Sequence, residues 1–430
     1  MVYICKYRCF TVVNKEEFYN CNFLSFSYDT KVNYSIFVFP FRYIFMNIER
    51  LKTAFANYKE SSLFGRYIHL EHIEPLLKSL SDTIEVTVIG RSENNAPIYM
   101  TRLGNGKKKL LYWSQMHGNE STTTKAVFDF INTLIAADNE ISSTVLENCS
   151  LYIIPILNPD GAKAYTRLNY NSVDLNRDAQ DLTQKESVVL KKVIDELQPD
   201  FAFNLHGQRT IFSAGETNAS AIVSFLSAAG DQERSISPSR KIAMEVIAEM
   251  NTILQQCIPD SVGRYDDGFN INCTGDTMEF RGIPTVLFEA GHYPTDYDRE
   301  KTRALIYYSL ISSALYLASN TVTGDQFEAY FTIPENEKCF YDIIIREVLL
   351  EGEIVDIGVQ YEEKLIENEV KFIPKVAEIG NLEKKFGHRE IFGKKRAIRY
   401  YNDVVEIVRE VVLPKITLDF EIFSLELSKS

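Results

Sequence analysis

Residues 107–120 read KKKLLYWSQMHGNE. Leu110, Leu111, Tyr112 and Trp113 form an unbroken apolar run, the mark of a strand covered on both faces. His117-Gly118-Asn119-Glu120 follows at once, and STTTKAVFDFINTLIAA (121–137) then opens with Ser and Thr and continues with helical apolar spacing. A buried strand running through a polar turn into a helix is the repeating unit of α/β folds. The same unit recurs downstream. SLYIIPIL (150–157), DFAFNLHG (200–207) and IPTVLFEAG (283–291) read as strands, while KESVVLKKVIDEL (185–197), SRKIAMEVIAEMNTILQQ (239–256) and DREKTRALIYYSLISSALYLAS (298–319) read as helices. The expected fold is therefore α/β, with helices on both faces of a mixed, mostly parallel sheet.

Upstream, IEVTVIG (84–90) and NNAPIYMTRL (94–103) read as two further strands, and Gly104-Asn105-Gly106 predicts a hairpin between the second of these and 107–116. Two amphipathic helices precede them, within 46–61 and about 71–80. Beyond residue 321 the pattern becomes β-rich. FEAYFTI (327–333), CFYDIIIREVLL (339–350), GEIVDIGVQYE (352–362), EVKFIPKVAEI (369–379), DVVEIVREVVLP (403–414) and ITLDFEIFSLEL (416–427) predict a smaller C-terminal all-β domain. The expected division is an extension over 1–45, a catalytic domain over 46–320 and a β-rich accessory domain over 321–430. The accessory domain carries no interpretable motif; packing, dimerisation and narrowing of access to the cleft are the roles open to it.

The chain has 430 residues, of which 12% are aromatic. Residues 1–45 hold 14 of those aromatics, no Gly and three of the seven Cys, and show no sustained period. Met46 starts an ordinary helix pattern, so we expect the native chain to begin there. Net charge is −13, which gives no general attraction for nucleic acid or an anionic membrane, and neither partner is expected. No Cys pair has CxxC spacing, which argues for a reduced, cytoplasmic protein. The first residues lack the apolar core of a secretory signal. The uncharged stretch 304–324 is rich in Ser, Tyr, Asn and Thr and reads as a buried helix rather than a membrane span.

Only six His occur, so their positions carry information. His117 and Glu120 lie three apart on a strand-to-helix turn, where ligands of α/β sheets gather. His206 ends the strand 200–207 in the equivalent place. Two His and one Glu form a catalytic zinc set, with a coordination position left for water. Glu289 ends a third apolar strand, where a carboxylate is costly unless used; beside an activated water it suits a general base. Arg167 and the run Asp174-Leu175-Asn176-Arg177-Asp178 complete the polar cluster. An Arg fork binds a carboxylate through two oxygens, and a second Arg can stabilise an oxyanion.

The order His117-x-x-Glu120, Asn158-Pro159-Asp160-Gly161, Arg167, Asn176-Arg177, His206, Glu289 resembles the zinc carboxypeptidase family, the carboxypeptidase A-like metallopeptidases, over roughly 84–320. The resemblance implies an eight-stranded mixed sheet and one zinc ion per chain. It makes His117, Glu120 and His206 the zinc ligands and Glu289 the base that activates water and hands its proton to the leaving amine. It makes Arg167 the oxyanion stabiliser, and Asn176 and Arg177 the anchors of the substrate's terminal carboxylate. Tyr265, 24 residues before Glu289, is the candidate for the family's mobile tyrosine, and His292 is expected to be structural. The implied reaction is hydrolysis of a C-terminal peptide or peptide-like amide bond by metal-activated water. The chain is also similar to the aspartoacylase and succinylglutamate desuccinylase deacylases, which would make the partner an N-acyl amino acid with a free carboxylate instead of a peptide. A non-catalytic binding protein on the same fold is the third reading.

Overall fold

The computed structural model describes residues 47–136, 140–401 and 406–427. The expected extension over 1–45 lies outside the described residues. Before residue 321 the strands are β1 (Glu85–Arg91), β2 (Pro97–Leu103), β3 (Lys108–Ser114), β4 (Cys149–Ile154), β5 (Phe201–Gly207), β6 (Phe212–Ala214), β7 (Val223–Ser227), β8 (Val262–Arg264) and β9 (Thr285–Ala290). The helices are α1 (Ile48–Tyr58), α2 (Leu70–Leu80), α3 (Thr122–Ile135), α4 (Glu140–Asn148), α5 (Pro159–Ala164), α6 (Lys185–Leu197), α7 (Pro238–Leu254), α8 (Thr274–Phe280) and α9 (Glu300–Ser319). One eight-stranded sheet runs in the order β1-β2-β4-β3-β5-β9-β7-β8. Its centre, β4-β3-β5-β9, is parallel, and antiparallel pairs flank it at β1-β2-β4 and β9-β7. The mixed α/β expectation holds.

The hairpin expected at Gly104-Asn105-Gly106 does not form, because β4 lies between β2 and β3. β4 is apolar on both faces and gains a hydrogen-bonded neighbour on each side by taking a central place. The turn serves this insertion. Asn105 N–H donates to the Leu146 carbonyl and Gly106 N–H to that of Cys149. A Cβ at Gly106 would stand 1.9 Å from the Asn148 carbonyl carbon, so glycine is required by backbone approach and not by a hairpin.

Helix α9 is the uncharged segment in part, and it is buried along most of its length, with Leu310, Ile311 and Ala314 fully covered. Among the described residues no helix is long and apolar enough to cross a membrane.

The C-terminal part is β-rich, as expected, but two of its segments differ. Residues 327–332 form a 3-10 helix instead of a strand. Tyr330 is buried there and Lys241 of α7 stands over the Phe327 ring, so packing on α7 overrides the β propensity of the aromatics. The described part of 403–414 contains no strand. The remaining strands are β10 (Asn336–Lys338), β11 (Phe340–Leu350), β12 (Glu353–Ile366), β13 (Glu369–Gly380) and β14 (Phe386–Phe392), the last four in one sheet of order β13-β12-β11-β14. A small three-stranded sheet lies within 398–424, and Ile343, Ile345, Val359 and Val376 form a second core with Leu413 and Ile416.

This region is bound to the α/β half. β10 pairs with β6, Arg66 bonds Glu363 at 2.9 Å, and the Tyr297 hydroxyl donates to Asp342 at 2.9 Å. His388 stacks on Phe340, packs edge-on to His292, and its Nε2–H donates to the Thr210 carbonyl at 2.8 Å. Burial holds His388 down to about 4. The unfolded ring takes a proton near 6.5, so between that pH and 4 the unfolded state binds more protons and folding weakens as pH falls. We expect this ring to cost about 2–3 kcal/mol of stability between pH 7.5 and 4.5. Asp342, which burial holds up to about 6, works in the opposite direction, so the test is differential. His388→Gln, which keeps an N–H for Thr210, should lose less stability on acidification than the parent in urea unfolding. Equal losses would remove His388 as the cause.

Candidate metal and catalytic site

β3 stops at Ser114 because Gln115 takes a left-handed conformation (φ 49). Its side-chain amide donates to the carbonyls of Gly118 and Ile68 at 2.7 and 2.8 Å, which fixes the His117 turn. The Asn158-Pro159-Asp160-Gly161 motif buttresses the same turn. Asn158 caps α5 by accepting from Gly161 N–H and donates from Nδ2 to the Met116 carbonyl. A Cβ at Gly118 would meet the Gly161 carbonyl carbon at 1.9 Å, so the two glycines let two turns touch.

His206 and Glu289 are direct partners on β5 and β9. His117, Glu120 and His206 converge. His117 Nδ1 lies 2.9 Å from Glu120 Oε1, His206 Nδ1 lies 3.0 Å from Glu120 Oε2, and the two Nδ1 atoms are 3.1 Å apart. A tetrahedron with zinc–ligand bonds of about 2.0–2.1 Å has edges of about 3.3–3.4 Å, close to these contacts, in which each imidazole meets a different Glu120 oxygen. The donors are two imidazole nitrogens and a carboxylate, the set that zinc accepts, and His117 and His206 are buried. The residues present therefore fit a zinc ion. Glu120 also accepts the Gly207 N–H at 3.0 Å, which orients the carboxylate.

Burial pushes His117 down, but Glu120 and Asp174 outweigh it and hold the ring up to about 9. For Glu120 burial acts upward, and His117 and His206 bring it well below the usual carboxylate range. A cation is thus favoured at this spot. Glu289 is raised well above the usual range, first by burial and then by the Glu120 charge. Its Oε2 is buried and has no hydrogen-bond partner among the described residues, and neither does His206 Nε2.

Arg167 is nearly half exposed and reaches the same triangle. Its Nη1 is 3.2 Å from His117 Nδ1 and 3.5 Å from Glu120 Oε1, and its other nitrogens bond Asp174 Oδ2 at 3.0–3.1 Å. Asn176 accepts the Thr274 N–H through Oδ1, and Arg177 Nη1 donates to the Asn176 carbonyl. Tyr265 packs on Phe212, and burial and then Glu289 hold its hydroxyl up to about 12. All eight predicted residues line one cavity of about 880 Å³. His292 does not; it is buried between the rings of Tyr297 and His388.

The sequence reading gave no separate role to Asp174 or Arg299. Asp174 Oδ1 lies 3.1 Å from His117 Nε2, the kind of carboxylate contact that would fix the ring were it a metal ligand. Its place two residues before Asn176 is the signal by which it could have been found. Arg299 is buried and donates to the carbonyls of Ala290 and Gln208, clamping the ends of β9 and β5 just beyond Glu289 and His206. Its position at the start of a helix gave no cue. Asp174→Asn should weaken zinc affinity by about 10–100-fold, measured by chelator competition; unchanged affinity would deny the support.

The sequence profile described as zinc carboxypeptidase matches residues 70–237. Over that span the chain is similar to the zinc carboxypeptidases. The matched span contains His117, Glu120, Arg167, Asn176, Arg177 and His206, and ends before Tyr265 and Glu289. Carboxypeptidase M of Mus musculus is 26% identical over 183 residues, 36% of this chain and 41% of that protein. Carboxypeptidase SOL1 of Arabidopsis thaliana is 27% identical over 139 residues, 28% of each chain. The chain thus spans less than half the length of these two relatives. A metallo-carboxypeptidase structure from Burkholderia cenocepacia aligns at 19% identity and TM-score 0.47, over 57% of this chain and 68% of that one.

Proposed function

We propose that this protein is a zinc metallocarboxypeptidase that hydrolyses the C-terminal peptide, or peptide-like amide, bond of a substrate with a free carboxylate. The supporting observation is the meeting of a His-Glu-His donor triangle with a buried, unpartnered carboxylate, Glu289, on the neighbouring strand end. Zinc, when held by His117, Glu120 and His206, supplies a Lewis acid that polarises the scissile carbonyl and acidifies water.

The chain's own residues do the rest. Glu289 takes a proton from the attacking water on a carboxylate oxygen and passes it to the leaving nitrogen. A base whose proton-bound form is stabilised by its surroundings can hold the proton between those two transfers. Arg167 donates N–H groups to the substrate oxygen as it gains negative charge; removing such a donor costs about 10²–10³ in rate. Arg177 and Asn176 bind the terminal carboxylate, which confines cleavage to a chain end. Tyr265 lines the cavity together with Glu289.

The test compares three substrates on the zinc-loaded protein: peptides with a free C-terminus, the same peptides amidated, and N-acyl amino acids of the N-acetylaspartate type. Cleavage of the free peptides alone is the expected result. Turnover of the N-acyl amino acids without peptide cleavage would overturn the peptidase reading in favour of the deacylase one.

A further inference from the structure

The C-terminal sheet supplies one side of the cavity that holds the donor triangle. Phe372, Lys375 and Val376 of β13 and Glu362 of β12 line it together with His117 and Glu289. Lys375 is held in this wall by Glu362 at 3.6 Å and Glu410 at 3.1 Å. The wall is fixed rather than hinged. Arg66 is 8% exposed and bound to Glu363, Gln360 donates to Thr210 at 2.6 Å, and the Tyr297 ring lies 5.3 Å from both Tyr361 and Phe372. Swinging the sheet away would break buried polar contacts that each cost free energy to leave unmade.

A site of about 880 Å³ falls in the roughly 300–1,000 Å³ range of cavities that enclose most of a small ligand. A groove open on both sides would let a long chain run across it; a wall along one side narrows the space left for the part of a substrate that extends beyond the scissile bond. We infer that the β12–β13 wall is a specificity-determining surface and that the substrate class is short peptides, with the tails of long chains excluded by Phe372 and Lys375. This rests on the peptidase reading for its chemistry and on the cavity alone for its length limit.

The experiment uses unstructured peptides that share their last two residues and range from dipeptide to dodecapeptide. On the zinc-loaded full chain, kcat/KM is expected to fall at least about tenfold from tetrapeptide to dodecapeptide, mainly through KM. The double variant Phe372→Ala/Lys375→Ala should recover most of the loss on long peptides and leave the shortest within about twofold. Lys375→Ala alone, which keeps the aromatic contacts, should recover part of it and guards against a folding defect. Calorimetric binding of the same series to the zinc-loaded Glu289→Gln protein supplies a readout independent of turnover. Short peptides binding tighter than long ones supports the wall even if the wild type cleaves none, and that second result would remove only the peptidase reading. Equal kcat/KM or equal binding across the series, a variant that changes all lengths alike, or no binding of any peptide would overturn the inference.

Discussion

Glu289→Gln is expected to lower kcat by about 10²–10⁴-fold while zinc content, measured by atomic absorption, and KM stay close to those of the parent. The argument is geometric. Glu289 lies on β9 beside His206 on β5, and it belongs to neither the donor triangle nor its hydrogen bonds. Glutamine has the same shape and no basic oxygen to take the proton. The variant should also fold well. Burial and Glu120 raise the Glu289 carboxyl above its unfolded value, so without metal the unfolded state releases its proton first and stability falls as pH rises above the ordinary carboxylate range. Glutamine has no such slope, and the metal-free variant should melt no lower than the metal-free parent at pH 7 to 8. Parental kcat in the variant would refute the assigned role, whereas loss of zinc would move Glu289 into the ligand set.

Much of this site was legible because chemistry and topology speak through the same residues. Strands 107–116, 200–207 and 283–291 are apolar runs that end in His117, His206 and Glu289, and a polar group at the end of such a run marks the rim of a sheet. Register then does what the alternation implied: β5 and β9 are neighbours and bring His206 opposite Glu289. What stayed hidden depends on contacts between distant segments. The turn at 104–106 has hairpin chemistry, yet only the need of β4 for two neighbours decides that β2 and β3 separate. The 327–332 segment has strand composition, yet α7 offers its aromatics a better surface. Arg299 is one of 46 Lys and Arg residues, and nothing near it in sequence tells that it bonds the carbonyls after both Glu289 and His206. The C-terminal wall is hidden for the same reason, since Phe372 and Lys375 sit in an ordinary alternating strand.

His206→Ala should abolish both zinc binding and hydrolysis, and zinc titration against thermal unfolding separates this from simple misfolding. In the parent, zinc binding to the folded triangle should raise stability by about 4 kcal/mol when free metal is 1,000 times Kd. The sign follows from the charges: Glu120 and Glu289 oppose each other in the metal-free protein, and Glu120 is counterbalanced chiefly by His117 and His206. Removing His206 leaves one imidazole and one carboxylate, fewer than the three protein ligands a catalytic zinc site takes, so the zinc-dependent rise in Tm should vanish. His292→Ala is the matched control. It too deletes a buried imidazole, and its neighbours are Tyr297 and His388 rather than the triangle. That variant should start from a lower Tm and still rise with zinc as the parent does. A zinc response that survives in His206→Ala, or that disappears in His292→Ala, would place the metal elsewhere in the molecule.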